Sequence, residues 1–165
     1  MSPASRPCHP APATHPSEEE QALLARAKAL RRDSSQQHRP LLGKRLGLMS
    51  AAPESEDAHL FRQAAQELGA HVALIPAPTA HLEGQADPLP GVGRLLGRLY
   101  DAVECQGLSD AVVRDLAAVA RIPMYAGLAG REHTVFQLAR AWRPPSPLIH
   151  RRRWLIQATL LATLT

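Results

Sequence analysis

Residues 95–130 constrain the fold most, because helical and strand patterns alternate there over short distances. LLGRLY is typical of a helix end, AVEC of a short buried strand, and Ser109 of the N-cap of the next helix. A second short strand at Met124 and Tyr125 then leads into a glycine-containing loop. Strands that alternate with helices indicate βαβ units and therefore a parallel sheet.

The same alternation extends over most of the 165 residues. We therefore expect one α/β domain, with a parallel four-stranded sheet flanked by helices. The predicted strands cover residues 46–49, 71–75, 102–105 and 124–125. Three predicted helices begin after the N-caps Ser17, Ser55 and Ser109. Three more are predicted at residues 92–100, 132–142 and 149–164.

Composition excludes several classes of protein. Only 4% of the residues are aromatic, so the core must consist of Leu, Ala, Val and Ile. Two cysteines form no disulfide framework, the N-terminus lacks a secretory pattern, and the apolar run at 154–164 is too short to span a bilayer. We expect a cytoplasmic protein that does not contact a membrane.

Positive charge is concentrated locally, although the net charge is +4. Arg151–Arg153 stands at the start of a predicted helix, the unfavourable end for cations, so a solvated turn is the default interpretation and an acidic partner is the alternative. No nucleic-acid motif or interleaved aromatic residue accompanies this run, so nucleic-acid binding is not expected.

Four segments resemble the ornithine and aspartate carbamoyltransferase family, with the ornithine type favoured: LLGKRLGLM, QELGAHVALI, LGRLYDAVECQG and IPMYAGLAGREH. The resemblance extends from the first predicted helix to about Ala139. It implies the fold of the family's first domain, which binds carbamoyl phosphate.

The final segment, RRRWLIQATLLATL, resembles the family's terminal helix, which returns from a second domain to pack on the first. The resemblance implies that the amino-acid-binding domain is deleted between these two parts; the alternative is a generic amphipathic helix. The expected organisation is a disordered Pro/Ala-rich tail at 1–16, an α/β domain at 17–142, a Pro-rich link at 143–148 and a helix at 149–165 packing back on the domain.

The resemblance also implies a substrate site, and several of its residues are changed. The family's Ser-Thr-Arg-Thr-Arg motif, which holds phosphate at a helix N-terminus, matches Glu54-Ser55-Glu56-Asp57-Ala58, which has three carboxylates and no arginine. The family's arginine after the third strand is Gln106 here. His133 survives from the His-Pro-x-Gln motif, but Phe136 replaces its glutamine. The family's loop lysine, which enters a neighbouring subunit, has no counterpart at 84–91.

Ser55, Gln106 and His133 are therefore the candidate remnants of a substrate site, and we assign no catalytic residue, metal ligand or cofactor. Each has a structural alternative: Ser55 suits an N-cap, and His133 suits a cap or a packed histidine. Cys8, His9 and His15 have a spacing that indicates metal binding only weakly.

Three functions follow from these features. The favoured hypothesis is a catalytically inactive carbamoyltransferase-like protein with a structural or regulatory role. The resemblance implies homo-oligomers, trimers by analogy, or hetero-oligomers with a true carbamoyltransferase. The second hypothesis is residual binding of carbamoyl phosphate or a small anion by Ser55, Gln106 and His133, linked to arginine or amino-acid metabolism. The third is a basic interaction protein that binds an acidic partner through Arg151–Arg153.

Overall fold

The computed structural model describes residues 16–32, 39–77 and 89–165. The predicted disordered tail, the Cys8, His9 and His15 group and most of the Pro-rich loop at 76–90 lie outside these ranges. In chain order the described elements are α1 (Glu18–Arg32), β1 (Arg45–Ser50), α2 (Glu56–Glu67), β2 (His71–Pro76), α3 (Leu89–Leu99), β3 (Ala102–Gln106), α4 (Asp110–Ala120), β4 (Met124–Ala126), α5 (Thr134–Ala141) and α6 (Leu148–Leu164).

The four strands form one parallel sheet in the order β2-β1-β3-β4, which confirms the predicted α/β class. The connection from β1 to β2 runs to one side of β1, and the connection from β2 to β3 returns to the other side. The strands are all parallel, but the direction in which successive strands are added to the sheet reverses between β1 and β3. In open α/β sheets, the crevice at the carboxyl ends of such a strand pair is the usual ligand site.

Two apolar clusters cover the two faces of the sheet. Leu46 and Leu48 of β1 belong to the larger cluster, which also contains buried residues of α1, α2, α5 and α6. Met49 and Val103 belong to the smaller cluster, together with buried residues of α3 and α4. Alternate residues of β1 thus point to opposite faces, as the two-residue period of a strand requires.

Three of the helices begin at serine N-caps. The Ser17 hydroxyl accepts a hydrogen bond from the N–H of Glu20, and the Glu20 carboxylate accepts one from the N–H of Ser17. This reciprocal pair is a capping box. Ser55 and Ser109 accept the N–H groups of Ala58 and Val112. The predicted helix starts differ most at α3, which begins earlier at Leu89, and at α5, which begins later at Thr134.

Helices α3 and α4 are in close contact at two glycines of α3. A Cβ atom on Gly97 would overlap the backbone carbonyl of Ala120, and one on Gly93 would lie 2.9 Å from the Cβ of Val119. Any side chain at Gly97 would therefore push the two helices apart.

Helix α6 packs against α1, α2 and α5. Its central residues Leu155, Ile156, Ala158 and Leu160 are fully buried, so several sides of the helix are covered. Among the described helices, none is long and apolar enough to cross a membrane.

Candidate functional site

A pocket of about 240 Å³ lies at the carboxyl ends of β1 and β3. Ser50 and Gln106 are paired in register as the last residues of these two strands, so the pocket occupies the crevice where the order of strand addition reverses. We call it the switch-point pocket. Its lining consists of Ser50, Ala51, Ala52, Ser55, Asp57, Gln106, Gly107, Gly127 and Gly130.

Two of the three predicted site residues, Ser55 and Gln106, line this pocket together. Ser55 is the N-cap of α2, with its Oγ 3.2 Å from the N–H nitrogen of Ala58. The Gln106 amide donates to the carboxylate of Glu104 over 3.4 Å. Each side chain therefore has a structural partner within the chain as well as a place on the pocket wall.

The third predicted residue, His133, lines a neighbouring cleft of about 900 Å³ between α4, β4 and α5. It is the N-cap of α5, where its Nδ1 accepts the N–H of Val135 over 3.2 Å. Burial lowers the pKa of the His133 imidazole, and the nearby carboxylate of Asp110 opposes this effect. The two cavities share the wall formed by Gly107, Gly127 and Gly130.

Arg152 of α6 reaches the first turn of α2. Its guanidinium donates to Glu56 Oε1 at 2.7 Å, to Asp57 Oδ1 at 2.6 Å and to the carbonyl oxygen of Ala129 at 2.6 Å. The guanidinium carbon also lies 5.2 Å from the centre of the Phe136 ring. We call these five residues the Arg152 cluster. Its cation is 96% shielded from solvent, whereas the carboxylates keep one exposed side.

The prediction of a solvated turn at Arg151–Arg153 is wrong. Arg152 is buried, Arg151 donates to the carbonyl oxygens of Ala139 and Trp142, and Arg153 lies 3.3 Å from a carboxylate oxygen of Glu67. Carboxylates on α2 and carbonyl oxygens at the end of α5 accept hydrogen bonds or ion pairs from these arginines, and this compensates for positive charge at the N-terminus of α6. This part of the chain therefore offers little free positive charge to an acidic partner.

Glu104 is a buried acid in the middle of β3, with no solvent exposure. Its carboxylate accepts the N–H groups of Leu128, at 3.0 Å, and Ala129, at 3.4 Å. Burial raises the pKa of this carboxyl group to about 7, although these hydrogen bonds favour its charged form. Glu104 therefore holds the loop after β4, which supplies Gly127 and Gly130 to the wall shared by the two cavities.

Sequence reasoning did not identify Glu104 as a site residue. The signal that could have found it is an acidic residue within the otherwise apolar strand AVECQ. Its neighbour Cys105 is a buried free thiol, and burial raises the pKa of this thiol to about 12. Such a thiol is not a nucleophile at neutral pH. No group of three or more potential metal ligands occurs within the described ranges.

Comparison with known proteins gives a consistent result. The chain is 35% identical over 99 residues to ornithine carbamoyltransferase of Actinobacillus pleuropneumoniae serotype 5b, an alignment that covers 60% of this chain and 29% of that protein. It is 32% identical over 127 residues to the catabolic ornithine carbamoyltransferase of Burkholderia mallei, covering 76% of this chain and 38% of that protein. The chain is related to the carbamoyltransferases. No family model matches it.

Solved carbamoyltransferases share the fold. Ornithine carbamoyltransferase from Pyrococcus furiosus superposes with a TM-score of 0.63 at 28% identity, covering 75% of this chain and 40% of that one. The catalytic subunit of M. jannaschii aspartate transcarbamoylase gives a TM-score of 0.61 at 21% identity, covering 74% and 41%. This carbamoyltransferase relative therefore spans about a third of the length of the curated relatives above and has the α/β fold of part of the solved enzymes.

Proposed function

We propose that this chain is a carbamoyltransferase-like domain that does not transfer carbamoyl groups and has a structural or regulatory role through association. Its partners are copies of itself or a true carbamoyltransferase. The observation that carries the proposal is the pairing of Arg152 with Glu56 and Asp57 at the start of α2. This is the position that matches the family's phosphate-binding motif.

A phosphate at this position would meet carboxylates instead of arginines. Two like charges about 4 Å apart repel by about 1 kcal/mol in bulk water and by about 4 kcal/mol near a protein surface. Arg152 is the only cation in the Arg152 cluster, and both carboxylates already accept its hydrogen bonds. A dianion would therefore have to displace internal ion pairs and approach two acids.

The other remnants support the same conclusion. Gln106 supplies no positive charge and donates to Glu104, and His133 accepts a backbone N–H as a helix cap. His133 also lines the neighbouring cleft rather than the switch-point pocket. The three residues thus lack the convergent geometry that substrate positioning requires.

The packing of α6 supports the deletion of an amino-acid-binding domain. The helix follows α5 after a short Pro-rich link and contacts α1, α2 and α5 directly. Burying a leucine or isoleucine side chain contributes about 1.5–3 kcal/mol, and Leu155, Ile156 and Leu160 are fully buried. A helix that contributes this much to the core would be retained even if the domain before it were lost.

Exposed leucines support a role in association. Leu42, Leu74, Leu95 and Leu99 keep between 42% and 72% of their surface exposed, on β2, on α3 and on the turn before β1. Within the described ranges, β2 is an edge strand that pairs only with β1. Edge strands and apolar surface are common elements of protein interfaces.

Two measurements on the purified full chain test this proposal. Calorimetric titration with freshly dissolved carbamoyl phosphate to millimolar concentration should give no saturable heat. Light scattering, alone and with an ornithine carbamoyltransferase, should give a mass above that of the monomer, which Leu74→Ser or Leu95→Ser should lower. Saturable heat, followed by citrulline formation when ornithine is added with the carbamoyl phosphate, would overturn the inactivity, and a strict monomer in both samples would overturn the association.

A further inference from the structure

We infer that the first turn of α2, together with the Ala129 carbonyl and the Phe136 ring, is a guanidinium-binding site whose present occupant is the side chain of Arg152. A small free alkylguanidinium would bind there when this side chain is removed. The inference does not depend on how the protein assembles or on whether it is catalytic.

The contacts match the shape of a guanidinium. One terminal nitrogen donates to Glu56, and the other donates to both Asp57 and the carbonyl of Ala129. A planar guanidinium has five N–H donors in a fixed arrangement, whereas an ammonium is a compact point charge. The face of Phe136 adds a cation–π contact. The site therefore distinguishes the shape of its cation as well as its charge.

The acceptors are held in place by residues outside α6. Ser55 caps α2, and carboxylates in the first turn of a helix are favourable because they face the positive end of its dipole. The Glu104 carboxylate of β3 accepts the N–H groups of Leu128 and Ala129, and this holds the backbone that carries the Ala129 carbonyl. The acceptors should therefore keep their positions when the Arg152 side chain is absent.

The site also has an opening through which a ligand could enter. The side chains of Glu56 and Asp57 are 61% and 36% exposed, whereas that of Arg152 is 4% exposed. A small cation can therefore approach from the carboxylate side. In the native chain, Arg152 is tethered and has a high effective concentration, so it excludes free ligands.

Thermal unfolding of full-length Arg152→Ala with propylguanidinium tests the inference. The substitution should lower the Tm, and the ligand should raise it again along a saturating curve. At a concentration ten times the dissociation constant, the expected increase is about 3–5 °C for a domain of this size. The native chain should show no such increase over the same range.

Two controls separate specific binding from a general effect of salt. Propylammonium at equal concentration should raise the Tm of Arg152→Ala much less, because it lacks the planar donor arrangement. The triple variant with Glu56→Gln and Asp57→Asn should not respond to propylguanidinium. Equal responses to both cations, or a response that survives in the triple variant, would overturn the inference.

If Arg152→Ala does not fold alone, it is refolded from urea with propylguanidinium or propylammonium present, and only the guanidinium should restore the folded state; equal recovery with both cations, or recovery with neither, would overturn the inference. The binding can then be followed by the fluorescence of Trp154, two residues along α6. Absence of saturable binding in a folded variant would overturn the inference, and so would stabilisation by inorganic phosphate in place of guanidinium.

Discussion

Glu104 and Arg152 hold the same residue from opposite sides. Glu104 on β3 accepts the N–H of Ala129, and Arg152 on α6 donates to the carbonyl oxygen of Ala129. An acid and a base that are far apart in the sequence thus fix one peptide segment in the loop after β4. This loop supplies the wall between the switch-point pocket and the neighbouring cleft.

Replacement of Arg152 by methionine should lower the free energy of unfolding by about 2–4 kcal/mol. It removes three hydrogen bonds and leaves the Ala129 carbonyl buried without its charged donor. Urea denaturation measures the change. Arg114→Met is the matched control, because Arg114 is exposed on α4 and should change stability by less than about 0.5 kcal/mol. Similar losses in both variants would contradict a special role for Arg152.

The buried acid predicts a pH dependence of stability. Because the pKa of Glu104 is about 7 when folded and about 4.5 in its ordinary state, the folded chain binds more protons between these values. Its contribution to the free energy of unfolding should therefore fall as pH rises from about 4.5 to 7, and should be constant above that.

Glu104→Gln isolates this contribution, because an amide does not titrate. Urea denaturation at pH 5, 6, 7 and 8 should show that the variant loses the falling component of the native profile. His133, whose pKa is lowered, contributes the opposite slope below about pH 6.5 and is unchanged in this variant. Identical profiles for the native chain and Glu104→Gln would be inconsistent with a raised pKa.

His133 should be replaceable by another cap. His133→Ala removes the acceptor for the Val135 N–H and should lower stability by about 1 kcal/mol, whereas His133→Asn supplies a new acceptor and should restore most of it. Thermal unfolding compares the two variants. If asparagine fails to restore stability, the role of His133 as a cap is not its main contribution.

Reversing one charge in the first turn of α2 should disrupt the Arg152 cluster. Glu56→Arg places two guanidinium groups beside each other, so we expect a loss of about 1–3 kcal/mol and partial recovery when phosphate is added. Glu19→Arg makes the same charge change in the exposed first turn of α1 and is the control. Recovery of equal size in the two variants would indicate a general salt effect.

Two glycines of α3 should respond in opposite ways to alanine. At Gly97, a Cβ would overlap the Ala120 carbonyl, so Gly97→Ala should be destabilising by about 1–3 kcal/mol. At Gly91, no atom lies within 4 Å of the added Cβ, so Gly91→Ala should be neutral or stabilising by about 0.5 kcal/mol. Thermal unfolding of both variants measures the difference, and destabilisation at both positions would contradict this account of α3 packing.

Local patterns in the sequence were sufficient to predict the sheet class and most helix starts. Ser17, Ser55 and Ser109 are caps because a serine hydroxyl meets the free N–H groups of a helix start whatever the tertiary context. The strands at 46–49 and 102–105 are apolar runs that agree with β1 and β3 to within one residue at each end.

The site was harder to predict, because its contacts join distant parts of the chain. Arg152 and Glu56 are 96 positions apart, so neither residue reveals the other in its local pattern. The sequence showed carboxylates in place of the family's arginines at the start of α2, but Arg151–Arg153 was interpreted as a solvated turn, so the two segments were not expected to meet. The resemblance located Ser55 and Gln106 on one pocket, but it did not indicate that His133 would face the other cavity.

The packing of α6 on α1 and α2 has a consequence for the rate at which the chain folds. These contacts join residues of large sequence separation, and so do the parallel strand pairs, which gives the domain a high contact order. Closing such long loops is entropically unfavourable, and it must precede the contacts that stabilise them. We therefore expect refolding on the millisecond-to-second scale, with the docking of α6 among the last steps, so that substitutions at Leu155 or Ile156 accelerate unfolding more than they slow folding.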